Sequence, residues 1–123
     1  RSHRQGLVSI ALQSDQPVDA DEFMAWIQDV IQTCGKDLLR SKGILAFADE
    51  PRRFVFQGVQ SLLDGDVQEP WGRDEPRTSK LVLIGRNLDE EAIRAGFAAC
   101  RADLMPSPKR SPDGRSFPRK TER

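Results

Sequence analysis

The amino-acid sequence predicts an α+β fold: a two-layer sandwich with a mostly antiparallel sheet of four to five strands and two helices on one face. Apolar residues alternate along several short segments, which is typical of strands. They recur every three or four residues along two other segments, which is typical of amphipathic helices. The connections between neighbouring strand segments are of hairpin length, which favours antiparallel pairing. The predicted order of elements is β-α-β-β-(β)-β-α.

The size and charge of the chain restrict the classes of protein to which it can belong. Its 123 residues suffice for one domain with one modest core. The sequence begins at Arg1 and not at a methionine, which is expected of a fragment, a processed product or a trimmed chain. The 19 basic and 19 acidic residues balance. Six of the basic residues follow residue 105, so residues 1–105 are mildly acidic and give no reason to expect a nucleic acid as partner.

The two cysteines, Cys34 and Cys100, are far apart and belong to no C-x-x-C motif, which is typical of an intracellular protein without a disulfide framework. Each falls on the apolar side of a predicted helix, where cysteine packs as a small hydrophobic side chain. No apolar run reaches the length of a transmembrane helix. We therefore expect a cytoplasmic protein, with an organellar location left open, and no membrane partner.

The N-terminal part of the chain predicts a strand and then a helix. Val8, Ile10 and Leu12 alternate with small or polar residues, as in a strand with one buried face. Asp19 and Glu22 then form a capping-box pattern that begins a helix. The apolar stripe of this helix consists of Phe23, Trp26, Ile27, Val30, Ile31 and Cys34, and a glycine ends it at position 35.

The middle of the chain predicts two strands within residues 38–60, joined by a turn at Asp49–Arg52. Gly58 lies inside the second of these strands and indicates either a bulge or a close approach of another backbone. The pair Asp64–Gly65 is a turn signal, after which we expect an irregular loop, with or without a short edge strand.

The last strand is predicted at Lys80–Arg86, followed by a helix that Asn87 or Asp89 caps. The apolar face of this helix consists of Ile93, Phe97, Cys100 and Leu104. We place the domain at residues 1–105. Residues 106–123 contain four prolines and little to bury, so we expect a disordered Pro/Arg/Ser-rich tail.

Apolar residues occupy both sides of the predicted central strands, although two helices can cover only one side of such a sheet. The residues concerned are Leu45, Phe47, Phe54, Val55, Phe56, Val59, Val82 and Ile84. We therefore expect apolar surface on the helix-free side, available to another domain or chain.

Four blocks of sequence, in this order and spacing, resemble the C-terminal domain of the CobW-type GTPases. They are Arg40-x-Lys42-Gly43 with the two apolar residues that follow, the segment FVFQGVQ at 54–60, Trp71, and the segment SKLVLIGR at 79–86. The resemblance extends from about Leu7 through Cys100. The tail lies outside it.

The resemblance implies an accessory domain of a metallochaperone or metal insertase, a class associated with zinc homeostasis, cobalamin biosynthesis and nitrile hydratase activation. It implies a parent GTPase that uses GTP, Mg and Zn or Co, with an N-terminal P-loop GTPase domain and a client metalloprotein as partners of this domain. The chain itself has no G-x-x-x-x-G-K-[ST] and no C-x-C-C motif. We therefore expect no enzyme activity, no catalytic residue and no bound cofactor in this chain.

The candidate interaction residues are Arg40, Lys42, Gly43, Gly58, Trp71 and Arg86. Arg40 and Lys42 either lie inside a strand and pair with acidic groups of the GTPase domain or the client, or precede a strand that begins near Gly43 and are simply solvated. Trp71 is either a lid over the sheet edge or an interface anchor. His3 is the one histidine, and the resemblance places it where a His-rich linker would end. It is either a remnant of such a linker or an ordinary exposed histidine near the terminus, and one imidazole makes no zinc site because zinc usually takes four ligands.

A small RNA-binding α+β domain is the alternative function. The segment RRFVFQGV at 52–59 is similar to the aromatic strand on which RNA-recognition sheets stack bases. It lacks the glycines of that signature, and residues 1–105 are mildly acidic.

Overall fold

The computed structural model describes residues 6–102, so His3 and the predicted tail at 106–123 lie outside the described residues. The strands are β1 (Leu7–Ser14), β2 (Leu38–Leu45), β3 (Arg52–Val59), β4 (Leu62–Pro70) and β5 (Ser79–Arg86), and the helices are α1 (Ala20–Cys34) and α2 (Glu90–Ala98). A single 3-10 turn at Gly35–Asp37 joins α1 to β2. Neither helix combines the length and the apolar character needed to cross a bilayer, as far as residues 6–102 are concerned.

The strands form one sheet in the order β1-β5-β2-β3-β4, and each neighbouring pair is antiparallel. The last strand of the chain thus inserts between the first two, and β2 lies in the centre. Both helices pack on the same side of this sheet, where their buried residues join one core with alternate residues of the strands. The predicted two-layer α+β sandwich is confirmed.

The helices begin where the sequence predicts them. The Asp19 carboxylate accepts a hydrogen bond from the Glu22 N–H at 2.9 Å, and Gly35 ends α1 with a φ of 57°. Of the two residues predicted to cap α2, Asp89 is the cap, because its carboxylate accepts from the Ala92 N–H at 3.1 Å. Asn87 instead adopts a φ of 56° in the turn before it.

Aromatic side chains join the helices to the sheet. The ring of Phe23 on α1 lies 5.5 Å from that of Phe56 on β3 and 5.9 Å from that of Phe47. Trp26 is half-buried, and its ring lies 5.5 Å from that of Phe97 on α2. Aromatic contacts therefore connect α1 with β3, with the segment that follows β2, and with α2.

The predicted turn at Asp64–Gly65 is wrong, since both residues lie inside the nine-residue strand β4. The chain reverses earlier, at a two-residue loop formed by Gln60 and Ser61, with Val59 paired to Leu62. Gln60 takes a φ of 53°, a conformation that Asn or Gly adopts more readily. Because neither Asn nor Gly stands in this loop, its sequence gives no turn signal.

Candidate interaction face

The side of the sheet that carries no helix is the candidate functional surface, and we call it the helix-free face. It is formed by the strand residues whose side chains point away from α1 and α2. On β2 these are Arg40, Lys42 and Ile44, which alternate with residues of the core side. Their neighbours in register on β5 are Ile84, Val82 and Lys80, and on β3 Val59, Gln57 and Val55.

Large hydrophobic side chains are exposed on the helix-free face. Of the six exposed large hydrophobic residues among those described, five belong to its strand positions: Leu7, Ile44, Val59, Leu62 and Ile84. Their exposure ranges from 36% for Ile84 to 76% for Leu62. The sixth, Met24, lies on α1. The predicted apolar surface on the helix-free side is thus confirmed, and a cluster of this kind is typical of interaction sites.

Arg40 and Lys42 lie well inside β2, which begins at Leu38, so the alternative in which the strand starts near Gly43 is wrong. Both side chains are exposed. Among residues 6–102, the ion pairs join Arg52 to Glu50, Arg53 to Glu75 and Arg94 to Glu90, and none involves Arg40 or Lys42.

The two cations belong to a larger positive strip on the central strands. Lys80 and Arg86 on β5 are exposed on the same face and also form no ion pair with a described carboxylate. Among the described strand residues, the carboxylates of this face belong to the edge strand β4. There Asp64 lines a depression of about 620 Å³ together with Arg40, Lys42 and aliphatic residues of β3, β4 and β5.

At Gly43 and Gly58, two of the predicted interaction residues, an added side chain would point to the core side. A methyl group at Gly43 would lie 2.5 Å from Cβ of Leu81 and 2.8 Å from the carbonyl oxygen of Lys80. At Gly58 it would lie 2.7 Å from Oγ of Ser41. The register is continuous through Gly58, so this glycine marks a close approach and not a bulge.

Trp71 is buried, with 8% of its surface exposed, and the guanidinium of Arg53 lies over its ring at 4.8 Å. Arg53 also forms two hydrogen bonds to the Glu75 carboxylate, at 2.9 and 3.1 Å. The Gly72 N–H and Arg53 together hold the pKa of Glu75 below its ordinary value. Trp71 therefore anchors the loop between β4 and β5, and little of its ring is exposed.

The cysteines have no features of a reactive or metal-binding site. Burial, and secondarily the negative charges of Glu22 and Asp19, raise the pKa of the Cys100 thiol to about 11. Burial and the carboxylates of Asp37 and Asp29 also raise the pKa of Cys34. Within residues 6–102, no group of three or more His, Cys, Asp or Glu side chains is arranged to hold a metal ion.

The aromatic side chains on which the RNA-binding alternative depends face the core. Phe56 is 3% exposed and packs against Phe23, and the ring of Phe54 lies 5.1 Å from that of Phe47. Bases therefore have no aromatic platform on β3.

Lys80 and Leu62 contribute to the helix-free face but were not singled out from the sequence. Lys80 shares the periodicity of Arg86 on β5, so alternation alone could have placed it on this side. Leu62 could not be found in this way, because the sequence assigns its segment to a turn region.

The fold and this face together define a small α+β domain whose distinctive surface is a bare sheet side with mixed aliphatic and cationic character. The family model described as the cobalamin synthesis protein CobW C-terminal domain matches residues 7–101. The chain belongs to this family.

Characterised relatives and solved structures agree with the assignment. The zinc chaperone YjiA of Escherichia coli K12 is 43% identical over 93 residues, which are 76% of this chain and 29% of that protein. The zinc chaperone CobW of Pseudomonas aeruginosa is 42% identical over 57 residues, 46% of this chain and 15% of that protein. The crystal structure of the Zn(II)-bound YjiA GTPase from E. coli superimposes with a TM-score of 0.75 at 42% identity, covering 79% of this chain and 30% of that one. This chain thus spans less than a third of the relatives that it matches.

Proposed function

We propose that this chain is the accessory C-terminal domain of a GTP-dependent metal chaperone or metal insertase, and that it docks the parent's P-loop GTPase domain and a client metalloprotein. Membership of the CobW C-terminal family supports the first part. The observation that carries the second part is the helix-free face, where exposed aliphatic side chains and cations without an ion pair among the described residues lie together.

In this proposal the GTP and Mg²⁺ belong to the parent's other domain, and zinc or cobalt is its cargo. The YjiA relatives are described as a zinc chaperone and as a Zn(II)-bound GTPase. The described residues of this chain include no ligand set that fits a metal ion, so we assign them no step of metal transfer. Their contribution is contact. A cytoplasmic location is also part of the proposal.

The two kinds of side chain on the face have different roles in docking. The aliphatic side chains of Ile44, Val59 and Ile84 lose contact with water when a partner covers them, which supplies affinity. The cations Arg40 and Lys42 select the orientation and the partner more than they add affinity. Interfaces between domains of one chain are partly polar, and this face also combines apolar with charged side chains.

We expect the change Leu62→Asp to impair the full-length parent, because it places a carboxylate at the most exposed apolar position of the face. GTP hydrolysis stimulated by the client, and metal delivery to it, should fall by at least about fivefold, since an unpaired carboxylate buried in the contact would cost more than about 1 kcal/mol. The melting temperature should change little because Leu62 is 76% exposed.

The matched control is Met24→Asp, which changes an apolar residue of 41% exposure on α1, outside the helix-free face. It should leave hydrolysis and delivery as in the unaltered parent. Equal effects of the two variants, or normal coupling with Leu62→Asp, would contradict docking through the helix-free face.

A further inference from the structure

We propose that the helix-free face binds an acidic protein segment, whose carboxylates pair with Arg40 and Lys42 while its apolar side chains cover the aliphatic residues beside them. This inference rests on the proposed function in treating the face as a docking surface, and it adds the chemistry of the partner.

The spacing of the two cations suits such a segment. Arg40 and Lys42 lie two residues apart on one strand, so their Cα atoms are about 6.5–7 Å apart and both side chains leave the sheet on the same side. A partner strand presents alternate side chains at the same interval. Carboxylates at every second position of an extended segment would therefore meet both cations.

Aliphatic residues flank each cation in register. Arg40 lies between Ile84 on β5 and Val59 on β3, and Lys42 has Val82 beside it on β5. Ile84 and Val59 remain substantially exposed even though long cationic side chains can cover neighbouring apolar surface. A partner that offers only negative charge would leave this aliphatic surface in water.

The charge pattern favours a protein over a nucleic acid. The depression that holds Arg40 and Lys42 is also lined by Asp64, which repels a continuous row of phosphates but tolerates separate carboxylates. Among residues 6–102, the phenylalanines and Trp26 pack in the core on the helix side, and Trp71 is buried against Arg53. The face thus lacks a described ring for base stacking.

The test uses the 123-residue chain labelled with ¹⁵N and four probes. These are an acetylated, amidated octapeptide of alternating valine and glutamate, the matching valine–glutamine peptide, a decauridylate RNA, and vesicles of phosphatidylserine and phosphatidylcholine. Binding is followed by amide chemical shifts. The glutamate peptide should shift amides of β2 and β5 near Lys42 and Val82, and salt should weaken its binding.

The variant is Arg40→Glu/Lys42→Glu, and its charge-matched control is Lys36→Glu/Arg77→Glu, which changes two exposed cations that belong to no strand. The first should weaken binding of the glutamate peptide at least about tenfold, and the second should not. The inference is overturned if the glutamate peptide does not bind at millimolar concentration, or if the glutamine peptide binds equally well. It is also overturned if RNA or vesicles bind more tightly than the glutamate peptide and Arg40→Glu/Lys42→Glu abolishes that binding.

The outcome separates this inference from the proposed function. If the glutamate peptide binds as described and Leu62→Asp leaves the parent's coupling normal, the proposed docking role fails while the chemistry of the face stands. If Leu62→Asp uncouples the parent and the peptide does not bind, docking stands and the acidic partner is rejected.

Discussion

The close contact of β2 with β5 depends on the absence of a side chain at Gly43. A β-carbon there would overlap backbone as well as side-chain atoms of the neighbouring strand, at 2.8 Å from the Lys80 carbonyl oxygen. Backbone inside a central strand cannot move aside as the end of a side chain can. Gly43 thus determines how the strand that carries Arg40 and Lys42 fits into the sheet.

We predict that Gly43→Ala lowers the free energy of unfolding by about 1–3 kcal/mol, the usual cost of overpacking a core. The measurement is urea denaturation followed by far-UV circular dichroism. Gly72→Ala is the control, because the nearest atom to its β-carbon would be Cβ of Glu75 at 3.3 Å and the position is exposed. It should change stability by less than about 0.5 kcal/mol. Equal stabilities of the two variants would show that β2 and β5 are packed less closely than described.

Single residues differ in how far their positions could be predicted from the sequence. Arg40 and Lys42 share the alternation of Ile44, so their common face is predictable from the sequence. The residue at which β2 begins is not, because local patterns allow a start at Leu38 or near Gly43. The burial of Trp71 was not predictable. It depends on Arg53, which lies 18 positions before Trp71 and covers its ring. Arg53 is in turn held by a hydrogen bond to Glu75, 22 positions after Arg53.

Among the elements, the helices were the most predictable and β4 was the least. The caps and apolar stripes are local signals, and they place α1 and the beginning of α2 correctly. The end of α2 differs from the prediction, since the helix stops at Ala98, before Cys100, and Leu104 lies outside the described residues. The interior of β4 contains a glycine because the Phe54 ring of β3 occupies the space beside it, with Cζ 2.5 Å from where a β-carbon of Gly65 would lie. A packing reason of this kind is tertiary, and the local turn propensity of Asp64–Gly65 therefore gave the wrong prediction.

The loop between β4 and β5 is held to the sheet by a group that titrates in acid. Because the Gly72 N–H and Arg53 lower the pKa of Glu75, the stabilisation they provide is present above the ordinary value of 4.5 and is lost as the pH falls through the lowered pKa. When Glu75 is protonated, its ion pair with Arg53 is lost, and the Arg53 guanidinium is no longer held over the Trp71 ring.

We predict a red shift of Trp71 fluorescence as the pH falls below about 4.5. The red shift should come before the change in far-UV circular dichroism that reports global unfolding. The measurement uses a Trp26→Phe background, which leaves Trp71 as the only tryptophan. Adding Glu75→Gln to this background should abolish the acid step, because the side chain no longer titrates. Emission that stays constant until global unfolding would mean that Glu75 does not hold the loop.

At the scale of the whole molecule, the sheet separates two unlike surfaces. One side is closed by α1 and α2 over an aromatic and aliphatic core, and the other combines Ile44, Leu62 and Ile84 with a strip of cations. The chain spans 29% of the E. coli zinc chaperone that it matches, so most of that relative has no counterpart in this chain. The bare side of the sheet is where we expect the rest of a parent protein, or its client, to make contact.

The most direct test of this account is hydroxyl-radical footprinting of side chains, comparing this chain alone with the full-length parent in the presence of GTP and client. Oxidation of Ile44, Leu62 and Ile84 should fall severalfold in the parent, because a partner covers the helix-free face. Oxidation of Met24 on α1 should stay the same. If the three helix-free positions are oxidised equally in both samples while the parent is active toward its client, the helix-free face does not dock and the central claim is wrong.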